Sequence, residues 1–377
     1  MGGAQSMSKR LAASSDGSAR FDALLWQQAG EGHIQPLAAL VAAAEGKPRE
    51  HVVVETIIAE DANPLEVIHP KDPASWSVRF VGGVSVMRVQ DDKGPFVLSA
   101  WPTSYEGVFH LIGSIPSTDS RWDKVDRWIG NAAPRAVRCF LDHNDFIDIG
   151  AVLSEHDDVE VQRASGRMHA DRSSWNRGFP ALAGGDLRPD HREIVDEAEG
   201  LGASLRSLHL HVGDIMDVLL RRMAGATFYK GNFEVFENRV LSRLALAASR
   251  RRDLLTNRAR VVHEPPKQPI QVQMPGPIFT DPKATGEVIM MLERERDISY
   301  AVVHRNPYLH VVVTDASDGS NYDLFVTQPD AIEIHPGFRA SLGSLSRLAQ
   351  DLGNYFEADR LAETPAPKPV SIFDLVG

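Results

Sequence analysis

The chain holds 377 residues, 43% hydrophobic and 24% charged, with 40 basic against 51 acidic side chains and a net charge of −11. Size and composition suit two or three globular domains and exclude collagen-like, coiled-coil and wholly disordered chains. No apolar stretch approaches the ~20 residues of a membrane helix, and the one cysteine, Cys139, excludes an intrachain disulfide framework and a cysteine-rich metal site.

These features predict a cytoplasmic protein with no membrane partner. Only nine of the 40 basic residues are lysine. This arginine bias reads as the base composition of a GC-rich bacterial genome, and it discounts every argument from arginine alone.

Residues 1–19 lack the apolar core of a secretory signal and read as a disordered N-terminus, with Met7 as good a start as Met1. Residues 20–119 read as a helical lead-in plus an antiparallel β region. Apolar spacing of three and four predicts short helices around Phe21–Gln28 and Ile34–Ala44. His51–Ile58 is strand-like, and Trp76–Ala100 alternates around turn signals at Gly82-Gly83 and Asp91–Gly94.

Residues 120–212 read as an α/β region. Helices are expected at Arg121–Ala132, at Phe146–Ser154 and from Pro189-Asp190 to Glu199. Strands are expected at Ala136–Leu141, Val159–Arg163 and Leu205–Val212, with a loop over 170–190. The alternation predicts parallel pairing.

Residues 213–263 read as a basic helical segment with helices over 214–224 and 232–256. The segment carries ten basic and five acidic side chains, a net +5, which leaves −16 on the remainder. Six prolines mark residues 264–284 as a linker. Residues 285–363 read as a small C-terminal antiparallel α+β domain. Its strands are expected at Glu287–Glu293, Ser299–Arg305, Tyr308–Thr314 and Asp323–Thr327, with a turn at Asp315–Gly319 and a helix over Leu342–Phe356. Residues 364–377 form a Pro-rich tail with an apolar end. No repeat of fixed period is visible. The expected fold class is a multi-domain mixture of α/β and α+β.

Four features carry chemistry. On an ideal helix Arg239, Arg243 and Arg250 fall within about 40° of one another, beside an apolar arc of Phe233, Phe236, Val240, Leu244 and Ala247. Arg221, Arg222, Arg251, Arg252 and Arg258 extend this patch. Guanidinium forks suit phosphate, so these eight arginines are expected to meet nucleic acid or an acidic partner. The bland reading is a helix face neutralised by the chain's own carboxylates.

Asp142, Asp145 and Asp148 follow the expected strand at three-residue spacing, and Glu160 lies on the next one. Carboxylates at a strand's carboxyl end could hold Mg²⁺, the alternative being an N-cap at Asp142 followed by solvated helix residues. His209 and His211 share one strand face, a weak metal-site candidate against an ordinary half-buried strand. In the tail, Ile372, Phe373, Leu375 and Val376 could dock into a partner groove.

No dinucleotide, P-loop or nucleophile-elbow motif is present. Cys139 lies in an apolar strand and reads as a core residue. The function expected is a non-catalytic binding or assembly component of an intracellular bacterial complex, with a protein partner or a homo-oligomer. Nucleic acid in a DNA-processing or phage-defence setting is one such role, reached through the Arg-rich helix. No cofactor is expected. The alternative is a Mg²⁺-dependent nuclease or phosphodiesterase using Asp142, Asp148 and Glu160.

Overall fold

A computed structural model describes residues 20–44, 52–155, 157–168, 172–179, 189–295 and 297–364. The architecture is mixed α+β around two antiparallel sheets. At the centre of the first sheet is β1 (Val52–Ala59), whose eight residues are all buried. This run is β-branched at six of its eight positions, and burying it requires neighbours on both edges, layers on both faces and an ion partner, Arg138, for Glu55.

On one edge β1 pairs with β5 (Val108–Gly113), which continues into β4 (Gly94–Pro102), β3 (Val84–Asp91) and β2 (Trp76–Val81). Its other edge is shared by β6 (Ala136–Arg138) and β11 (Gly225–Gly231). The sheet then runs through β10 (Met216–Arg221), β9 (Ala203–Val212), β7 (Val159–Met168) and β8 (Ser174–Gly178). The second sheet has the order β13 (Ile298–His304), β14 (Leu309–Asp315), β15 (Asn321–Gln328), β16 (Ala331–Pro336), β12 (Ile270–Gln273) and β17 (Arg360–Glu363).

Both sheets contain one recurrent path. A first strand is followed by a four-strand meander, a helix and a closing strand, and it ends up between the last meander strand and the closing strand. In the first sheet these are β1, β2–β5, helix α3 (Arg121–Ala132) and β6. In the second they are β12, β13–β16, helix α9 (Leu342–Tyr355) and β17, with one further helix over residues 282–292 between β12 and β13. The recurrence is one of topology and has no fixed sequence period.

The two faces of the first sheet differ. One carries the largest core, packed under α1 (residues 20–31), α2 (Leu37–Ala43), α4 (His143–Ser154), α5 (His191–Gly200) and a long helix. That helix runs through α6 (Phe233–Val235), a π turn (Phe236–Leu241) and α7 (Ser242–Thr256). On the other face α3 inserts Trp122, Val125 and Ile129 over β1–β5. Among the described residues, no helix covers the same face of β11, β10, β9 and β7. In the second sheet, α8 (Pro282–Leu292) and α9 pack on one face.

Several expected elements are corrected. The strands of residues 120–212 pair antiparallel, not parallel, as do the strands of the N-terminal and C-terminal regions, where antiparallel pairing is expected. The expected loop over 170–190 contains β8, which reverses the chain before α5, so β9 returns antiparallel to β7. Residues 214–224 are not helical but supply β10 and the turn of the β10–β11 hairpin. Their apolar run fits both periods, and the turn residues decide, with Ala224 at φ 45° and Gly225 following.

Glu287–Glu293 is not a strand. Asp281 accepts hydrogen bonds from the amides of Lys283 and Ala284, and Pro282 occupies the first helical turn, so the run continues as α8. The proline-rich stretch is not a free linker, because β12 lies within it between β16 and β17.

The joint between the two units is tight at Gly343. A Cβ there would come within 2.1 Å of the Pro134 carbonyl oxygen. Gly343→Ala is expected to cost about 1–3 kcal/mol through the forced backbone shift. An unchanged urea midpoint would contradict this packing.

Candidate functional site

Arg251 decides what the arginine and aspartate clusters can do. It lies on the inner side of α7 and is 7% exposed. Its Nη2 donates to Asp145 at 2.5 Å and Asp142 at 3.2 Å, and its Nη1 to the Ala247 carbonyl at 3.0 Å. Asp142 caps α4 by accepting from the Asp145 amide, and the Asp145 side chain accepts from the Asp142 amide, each at 2.9 Å. This reciprocal capping box with a guanidinium clamp locks α4 onto α7.

Burial, reinforced by the charge of Asp145, pushes the Asp142 carboxyl up to about 6 against the pull of Arg251. Burial raises the Cys139 thiol to about 12, so it is no nucleophile at neutral pH.

The remaining arginines of the expected patch do not form one surface. Arg221 lies on β10. Arg222 is buried, donates to Ser204 Oγ at 2.8 Å and to the Ala358 carbonyl, and is pushed down to about 10 by desolvation. Arg258 pairs with Glu363 at 2.9 Å and Arg252 with Asp253 at 3.9 Å. Arg239 and Arg250 meet Glu155 at 3.7 Å and Asp148 at 3.5 Å. Arg243 is half-exposed and has no carboxylate partner among the described residues. The π turn contains Arg239, so the 100° step does not hold between it and Arg243.

The acidic cluster does not converge with Glu160. Asp142, Asp145 and Asp148 belong to α4, on the core side of the sheet. Val159 and Val161 point to that side, and Glu160 between them faces the opposite one. No group of three or more His, Cys, Asp or Glu that could hold a metal occurs among the described residues.

His209 and His211 do share a face of β9, the one no helix covers. His211 Nδ1 lies 2.5 Å from Asp217, and Lys230 Nζ meets the other Asp217 oxygen at 2.9 Å. His209 packs against Tyr229 with ring centroids 5.1 Å apart. Burial pushes the His209 pKa below the ordinary histidine value.

Sequence reasoning misses Asp217 because β10 reads as a helix, and Tyr229 and Lys230 because β11 falls in the break after it; Arg163 ends the expected strand Val159–Arg163, and nothing local marks the register shift after Val161 that sets it opposite His209. The alternation of His209 and His211 with leucine was the available signal. The tail residues Ile372, Phe373, Leu375 and Val376 lie outside the described residues.

The uncovered face of the second sheet carries a band of rings. His310 stacks on Phe325 at 4.2 Å, His335 meets Phe325 edge-on at 4.8 Å, and His304 lies 4.6 Å from Tyr308. His310 contacts Asp323 at 2.6 Å and His335 contacts Glu333 at 3.0 Å, so both carboxylates on this band have a partner. Val303 and Tyr308 beside it are 58% and 39% exposed. No helix of the described chain is long and apolar enough to cross a membrane. No family model matches the chain, and no curated protein matches it.

Proposed function

We propose that the protein is a non-catalytic binding component of an intracellular bacterial complex and meets a protein partner through the open face of its second sheet. The observation that supports this is the ring band around Phe325, with exposed Val303 and Tyr308 at its rim. Rigid aromatic rings supply contact area at small entropic cost and dominate protein interfaces. Arg305 is exposed beside the band, so the partner is a surface with an apolar centre and acidic groups at its margin.

Nucleic acid is the second reading, supported by Arg243 and Arg250 on the outer side of α7. It is weakened by the pairing of Arg250 itself with Asp148 and by the ion pairs that occupy most of the other arginines. The Mg²⁺-dependent nuclease reading gains no support from geometry, since Arg251 engages Asp142 and Asp145, and Glu160 faces away.

The test is recovery from the native host. Phe325→Ala with Tyr308→Ala is expected to lose the stoichiometric partner that the parent protein retains. The idea fails if the double variant recovers the same protein in the same amount. It also fails if the parent instead carries nucleic acid whose binding weakens steeply with salt and is abolished by Arg243→Glu with Arg250→Glu.

A further inference from the structure

We infer that the protein self-associates through the open edge of β13, which pairs antiparallel with β13 of a second copy about a two-fold axis. The pairing uses the edge and leaves the ring band around Phe325 uncovered, so it stands apart from the partner reading.

β13 ends the second sheet and is paired on one side only, with β14. An edge strand carries a row of backbone N–H and C=O groups without a ladder partner. Folded proteins blunt such edges with charged side chains, proline or short length. The other three strands that end the two sheets are defended in this way. β2 carries Arg79, β8 carries Arg177, and β17 is four residues bounded by Arg360 and Glu363. β13 has seven residues and no proline, glycine, lysine, arginine or carboxylate.

Its side chains sort by face. Ile298, Tyr300 and Val302 pack onto the core under α8 and α9, whereas Ser299, Ala301 and Val303 are exposed. Residues 298–302 form a regular ladder with residues 315–311 of β14, and the register shift falls beyond them, around Val303. Five consecutive residues therefore present a regular edge to an added strand, whose main-chain hydrogen bonds would supply affinity.

The charges beside the strand select the occupant. Asp297 precedes it and Arg305 follows it, and both are exposed. Among the described residues no carboxylate pairs with Arg305. The Asp297 carboxylate meets only Arg347, at 3.8 Å, and Arg347 is held more closely by Asp315, at 2.6 Å. A second copy laid antiparallel reverses the strand end for end, so each Asp297 comes beside the other chain's Arg305. Between these two ion pairs the facing residues are uncharged, with the small Ala301 at the middle.

Opposite charges across a ladder stabilise it, and like charges oppose it. A parallel copy would set Asp297 beside Asp297 and Arg305 beside Arg305. The uncharged strand also suits contact between two chains that each carry −11 and repel one another elsewhere. A two-fold contact consumes both β13 edges at once, so assembly closes at a dimer.

The test is sedimentation velocity of the full chain over a dilution series, with amide hydrogen exchange of residues 298–304. A monomer–dimer equilibrium is expected, and exchange of that segment should slow as the dimer forms. Asp297→Arg and Arg305→Asp each place like charges at both ends of the ladder and should weaken the dimer about 10-fold. The two reversals combined should restore the parent affinity. Ala301→Lys with Val303→Lys charges the edge and should give a monomer. Both side chains are exposed, so its circular dichroism should match that of the parent.

The inference is overturned if the parent stays monomeric at every concentration or grows beyond a dimer. It is equally overturned if the lysine variant dimerises as the parent does. Single reversals without effect, or a double reversal that fails to recover what they lose, would remove the antiparallel copy as the occupant.

Discussion

Arg251→Ala is expected to lower the unfolding free energy by about 3–5 kcal/mol at neutral pH, the cost of leaving buried charge without its partner. The substitution removes the guanidinium that engages both Asp142 and Asp145, the two carboxylates of the capping box that starts α4. A double-mutant cycle with Asp145→Asn should show coupling of about 0.5–3 kcal/mol. Chemical denaturation followed by circular dichroism measures both. A loss under about 1 kcal/mol would mean that the cluster behaves like a surface ion pair and does not hold α4 to α7. The result also bears on function, because it separates arginines built into the fold from those free to meet a partner.

The second large effect concerns acid. His110 is wholly enclosed between the sheet and the long helix, where burial pushes its pKa down to about 4 and its Nδ1 lies 3.1 Å from Thr56 Oγ1. The unfolded chain takes up this proton near the ordinary value of 6.5, whereas the folded chain does not until about 4. Its contribution to stability is therefore complete above 6.5 and is lost as pH falls from there toward 4, by about 3 kcal/mol in all.

Asp22 and Asp351 act in the opposite sense. Burial raises them to about 6 and about 7, so their folded forms hold the proton first and gain stability as pH falls through the same window. The informative quantity is thus the difference between the parent and His110→Gln, measured by urea unfolding at pH 7 and pH 4. That difference should shift by about 3 kcal/mol in favour of the variant on acidification. Parallel pH profiles would show that His110 is protonated or solvated in the folded protein.

Local signals found many elements. The amphipathic spacing of Trp122, Val125 and Ile129 marked α3 to the residue, and Asp190 ahead of an apolar pattern marked α5 with its cap. The Asp315–Gly319 turn between β14 and β15 was legible because Asp and Gly favour it locally. Of the candidate sites, the shared face of His209 and His211 followed from the period of two, and the N-cap role of Asp142 from its place before α4.

What escaped was non-local. The apolar run over 214–224 fits both helix and strand periods, and besides the turn at Ala224-Gly225 it is the pairing of β11 with β1 that favours the hairpin. The short strands β8 and β12 carry little pattern of their own and exist because a neighbouring edge needs hydrogen bonds.

By itself the sequence determined the composition class, the mixed secondary structure and the helices whose caps and apolar stripes lie within a few residues of each other. It also placed a surplus of arginine in the middle of the chain. Tertiary structure alone decided where that charge goes, since whether a guanidinium faces water or a carboxylate depends on residues a hundred positions away, as Arg251 and Asp145 show. Burial then set the protonation of Asp142 and His110, because desolvation depends on what surrounds a group in space and not on its neighbours in the chain.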